Sequence, residues 1–94
     1  MLGLLTLHLH IPACQSLKEK RRRLKPLISR LHREFNISVA EMDLNDLWQD
    51  AVIACAVVSN DAAQAQRTLQ SVSAWVESNW RDMMVVDESI EIIS

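Results

Sequence analysis

The sequence predicts a two-layer α+β sandwich with elements in the order β-α-β-β-α-β. Three observations carry this. Residues 2–11 alternate with a period of two, residues 17–34 and 61–79 repeat apolar residues at helical spacing, and cap or turn residues bound the segments. The 94 residues make one domain, 1–94, without linker, repeat or low-complexity segment.

The first strand places Gly3, Leu5, Leu7, Leu9 and Ile11 on one face and Leu2, Leu4, Thr6, His8 and His10 on the other; Pro12 ends its pairing. The first helix, 17–34, opens with a Ser16-x-x-Glu19 capping box, which satisfies free N–H groups at its start. Leu17, Leu24, Leu27, Ile28 and Leu31 form its apolar arc, and Pro26 falls toward solvent, where a kink is expected. Residues 35–42 read as a second strand, Asp43 to Asp46 as a turn, and about 48–58 as a third strand. Asp61 caps a second helix with Ala62, Ala65, Leu69, Val72 and Val76 as its stripe, and residues 83–93 form the last strand. This order is the split βαβ, ferredoxin-like plan: an antiparallel sheet ordered 4-1-3-2, both helices on one face, the other face open.

Net charge is −2, but it is unevenly distributed. Residues 1–34 hold 8 basic and 2 acidic side chains, a net of +6; residues 35–94 hold 2 and 10, a net of −8. The run SLKEKRRR puts five basic residues into the first turns of the first helix, where they oppose the helix dipole and one another. A polyanion would turn that cost into attraction. Lys18, Arg21, Arg22, Lys25, Arg30 and Arg33 are therefore expected to contact phosphates of RNA or of a ribosomal subunit; an acidic protein is a second class of partner. A solvated helix face, with Lys and Arg present simply as good helix formers, is the plainer alternative. Without Phe or Tyr on the open face to stack bases, such recognition would read phosphate and shape rather than sequence.

The third strand is apolar on both faces, Val52, Ala54, Ala56 and Val58 against Ala51, Ile53, Cys55 and Val57. Only one face can meet the helices, so the other, with Leu2, Leu4, His8 and His10, and with Val85 or Ile93, reads as an interface for a homodimer or a protein partner. Trp48 and Trp75 are the aromatic candidates for that interface, or for the edge of the core.

Signals for chemistry are weak. His8-x-His10 with Asp87 and Glu91 on the neighbouring strand is a conceivable zinc or acid–base set, but surface His–carboxylate pairs have the same pattern. Cys55 reads as a core thiol, and Cys14, before the basic helix, as a thiol whose redox role has no second cysteine near it in sequence. Glu41, Asp43, Asp46 and Asp50 form an acidic strip that lacks the ligand count of a calcium loop. With no Gly-rich phosphate loop, the expectation is a non-enzymatic protein without cofactor. The start lacks a basic signal-peptide region, and the longest apolar run, residues 51–58, is far short of the ~20 residues a membrane helix needs. A cytoplasmic protein with reduced thiols is expected.

The stretches HIPACQSLKEKRR, FNISVAEMDLNDLWQDA and AVVSND resemble the YlxP-like (DUF503) family of small bacterial proteins of unknown function, over nearly the whole chain. The resemblance implies a ferredoxin-like fold and a cytoplasmic bacterial setting, with genes in several bacteria beside those for translation initiation and ribosome maturation. It implies no catalytic residues. Members often carry a His in the hairpin turn, where Leu44 and Asn45 stand here.

Overall fold

A computed structural model describes residues 1–42 and 47–93. Its elements are β1 (Leu2–His10), α1 (Leu17–Glu34), β2 (Ser38–Glu41), β3 (Asp50–Val58), α2 (Ala62–Asn79) and β4 (Met84–Ile93). The sheet is antiparallel and ordered β2-β3-β1-β4, as the ferredoxin-like plan requires. The expected turn at 43–46 lies outside the described residues.

Alternation in β1 decides which face is buried. Leu5, Leu7, Leu9 and Ile11 are fully buried, together with Ala51, Ile53 and Cys55 of β3, under Leu24, Leu27 and Leu31 of α1 and Leu69, Val72 and Val76 of α2. At Gly3 helix α2 packs directly on the strand: a Cβ there would lie 2.9 Å from Leu69 Cδ1 and 3.2 Å from Val57 Cγ1. The helix caps form as the sequence predicts. Ser16 Oγ accepts from Glu19 N at 3.0 Å, and Asp61 Oδ1 accepts from Ala63 N at 2.9 Å. Glu19 returns its carboxylate to Gln15 N rather than to the cap residue. Helix α1 runs through Pro26 as one element.

Two element boundaries differ from expectation. Strand β2 spans Ser38–Glu41 rather than 35–42, because the Phe35 N–H still serves α1 as its C-cap, donating to Leu31 O at 3.0 Å. Strand β3 begins at Asp50 rather than near Trp48.

Strand β4 contains a bulge. His8 stands opposite Asp87, but Leu9 stands opposite Val85, so Val86 has no counterpart in β1. The extra residue resets the alternation of β4. Beyond it Ile90 and Ile92 turn toward the helices opposite Leu5 and Gly3, and Asp87, Ser89 and Glu91 turn to the open face. Glu88 also turns inward, opposite Leu7, where the buried Ser73 hydroxyl of α2 donates to it.

Candidate functional site

Helix α1 sorts its eight basic residues into two kinds. Lys18, Arg21, Arg22, Lys25, Arg30 and Arg33 are exposed. At 100° per residue, Lys18, Arg22, Lys25 and Arg33 fall within an arc of about 80° directly opposite Leu24, Leu27 and Leu31, with Arg21 and Arg30 on its two flanks. From Lys18 to Arg33 the row is about 22 Å long at the helical rise. Arg30 pairs with exposed Glu34 at 3.4 Å and lies 5.4 Å from the centre of the Trp75 ring. The other five make no hydrogen bond or ion pair with a described residue.

The remaining two cations are structural. Arg23 holds Asp82 with a fork, Nε to Oδ2 and Nη2 to Oδ1, each at 3.0 Å, and donates to Pro12 O at 2.8 Å and Asp82 O at 2.9 Å. Hydrogen bonding to Asp82 raises the Arg23 pKa against the opposing effect of burial. Lys20 is fully buried, and its Nζ donates to Leu47 O at 2.7 Å and lies 3.9 Å from Glu41 Oε2. Its ammonium therefore turns inward, to the segment joining β2 and β3, rather than out to solvent. A sequence signal for this exists, because Lys20, Leu24, Leu27 and Leu31 follow the i, i+4, i+7, i+11 spacing of one buried stripe.

Beside the basic face, an open groove of about 400 Å³ runs between α1 and the edge strand β2. Leu24 and Ile28 form its floor, and Arg21, Lys25, Ser29 and Glu41 surround it. The inward orientation of Glu41 follows from register, since it stands opposite buried Ile53.

The open sheet face is assembled in rows. Val58, Leu2 and Ile93 stand side by side on β3, β1 and β4, at 81%, 37% and 43% exposure. Next come Ser38, Ala56, Leu4 and Glu91, then Ala40, Ala54, Thr6 and Ser89. At the far end, His8 Nε2 is 3.2 Å and His10 Nδ1 3.7 Å from the same Asp50 oxygen. The expected grouping of these histidines with Asp87 and Glu91 is corrected. Asp87 stands opposite His8, but its carboxylate accepts from its own chain, at Glu88 N, and Glu91 stands opposite Leu4. Among the described residues, no group of three or more His, Cys, Asp and Glu could hold a metal.

The acidic strip divides accordingly. Glu41 faces the helix layer and Asp50 the histidines, while Asp43 and Asp46 lie outside the described residues. Trp75 is half-buried, edge-on to Phe35 and stacked with Trp80, each at 6.3 Å between ring centres, which places it at the rim of the core. Trp48 is 52% exposed. Cys14 is fully buried and its thiol donates to Ser16 O at 3.4 Å, which closes it to reagents in solution; Cys55 is buried, and burial pushes its thiol up to about 11. No helix among the described residues is long and apolar enough to cross a membrane.

A family model described as a protein of unknown function, DUF503, matches residues 2–90. A Bacillus subtilis (strain 168) protein described as uncharacterized protein YlxP is 40% identical over 63 residues, which are 67% of this chain and 68% of the relative.

Proposed function

We propose, for a chain that belongs to the DUF503 family of proteins of unknown function, that it is a non-enzymatic cytoplasmic protein binding RNA, free or within a ribosomal subunit, through the solvent face of α1. The observation that carries this is the row of six exposed cations, five of them without a partner among the described residues. Like charges held in one row repel each other, and a phosphate backbone relieves that repulsion while releasing its own condensed counterions. Among the described residues, the strands of the open face present no Phe, Tyr or Trp to stack bases, so the contacts are to phosphates and shape. The test is binding of ribosomal RNA and purified ribosomal subunits by wild type and by an Arg22→Glu/Arg30→Glu/Arg33→Glu variant. Arg22 and Arg33 are exposed without a partner among the described residues, and Arg30 loses only surface contacts with Glu34 and Trp75, so the variant's fold is checked by thermal unfolding. Loss of binding in the variant supports the reading, and equal binding by both proteins removes it.

A second reading, a homodimeric or protein-binding module, is favoured by the exposed row Val58, Leu2 and Ile93 beside the small residues Ala54 and Ala56. Leu4, His8, His10 and Trp48 would extend that interface. Light scattering on wild type and Leu2→Asp/Val58→Asp tests it. A monomer at high concentration in both would exclude the dimer.

A further inference from the structure

We propose that the groove between α1 and β2 receives an extended peptide of acidic and apolar residues, which adds to the free edge of β2 as a fifth strand. This goes beyond the RNA reading and rests on three observations, the third of which shares Arg21 and Lys25 with that reading.

The first is the backbone. Among the described residues β2 is an edge of the sheet and pairs with β3 alone. Met42 N donates to Val52 O at 2.7 Å, so Ser38, Ala40 and Met42 direct their peptide groups toward β3. By alternation, Val39 and Glu41 direct their N–H and C=O groups away from it, to the open side. The two edges of the sheet differ in protection. β4 carries a bulge and three acidic residues, Asp87, Glu88 and Glu91, devices that discourage strand addition. β2 has no proline, and its register with β3 is regular.

The second is shape. A strand laid against β2 would lie ~4.8 Å outside it and send alternate side chains toward the helix layer. There the groove of about 400 Å³ offers them an apolar floor of Leu24 and Ile28. Main-chain pairing supplies generic affinity and such a floor supplies selection, the division of labour in recognition by strand addition.

The third is charge. Arg21 and Lys25 stand at the groove with no partner among the described residues. The carboxylate of Glu41 is engaged from beneath by Lys20 at 3.9 Å. The surplus at the groove is therefore positive and selects acidic side chains. An apolar floor beside alternating backbone donors and acceptors matches a peptide rather than a phosphate chain.

The experiment uses a fluorescein-labelled acetyl-ELELEL peptide, read by anisotropy, with KLKLKL and a version of ELELEL N-methylated at its two central residues as controls. Val39→Pro removes an N–H that the β2–β3 ladder does not use, a substitution edge strands accept. Its folding is checked by thermal unfolding, and the N-methylated peptide tests the same pairing if the variant fails to fold. The expected result is binding of ELELEL by wild type, with at least tenfold loss for Val39→Pro and for the N-methylated peptide. KLKLKL binds weakly, and Arg21→Glu/Lys25→Glu reverses that preference. RNA binding by Val39→Pro stays at the wild-type level, which separates this proposal from the RNA reading. Equal affinity for the plain and N-methylated peptides overturns strand addition, and equal affinity for ELELEL and KLKLKL overturns the acidic ligand. A wild-type dimer that becomes monomeric in Val39→Pro, with no peptide bound, overturns the peptide and gives the edge to a second copy of the chain.

Discussion

Arg23 and Asp82, 59 residues apart, are joined by two parallel hydrogen bonds of 3.0 Å that tie α1 to the segment entering β4. The same guanidinium closes the β1–α1 turn through Pro12 O. Asp82 is more than half exposed, so solvent screens part of the attraction. Arg23→Ala is expected to lower unfolding free energy by about 1–2 kcal/mol in urea titrations. Arg23→Lys recovers less than half of this, because an ammonium cannot reproduce the fork. RNA affinity should be unchanged in both, since this arginine is withdrawn from the exposed row.

Lys20 carries a larger share of stability. Lys20→Ala leaves Leu47 O and Glu41 Oε2 without the ammonium they face, and the expected loss is about 3 kcal/mol. Replacing the charges by apolar groups, as in Lys20→Met/Glu41→Leu, should restore much of that loss, because it removes the partly buried carboxylate together with its partner. Chemical denaturation of the two variants checks the order.

The thiol of Cys55 makes stability fall in alkali. Burial raises it from 9.0 to about 11. Above pH 9 the unfolded chain gives up this proton while the folded one keeps it, so the folded state loses ground up to about pH 11 and then levels off. Two pH units correspond to a loss of roughly 3 kcal/mol. Lysines also titrate in this range, so the measurement is the difference between wild type and Cys55→Ala. Their stability gap should shrink steadily across that window.

If four to six phosphates are neutralised by α1, log K for RNA should fall against log[salt] with a slope of roughly −3 to −5. Each removed contact should make the slope shallower by about one unit. A flat response across a potassium chloride series would reject phosphate contact as the mechanism.

Much of the fold could be read in advance because its signals are local. The alternation of Leu5, Leu7, Leu9 and Ile11 and the stripe Ala65, Leu69, Val72 and Val76 each depend only on near neighbours, and all eight are buried. The six exposed cations of α1 follow from the same helical count. What was not legible depends on distant partners. Nothing near Arg23 announces Asp82, and nothing near His8 announces that its carboxylate is Asp50, the diagonal neighbour on β3, rather than Asp87 directly across on β4. The shortness of β2 and the bulge at Val86 are likewise products of pairing rather than of composition.

That bulge makes β4 a reading frame. Were Val86 instead paired in regular register opposite His8, Asp87 and Glu91 would point under the helices while Ile90 and Ile92 would stand in water. The chain can therefore absorb a gained or lost residue in the segment ahead of β4, or the loss of the bulge residue itself, far more readily than a change between Asp87 and Ile92. There a one-residue indel exchanges the inside of the protein for its outside.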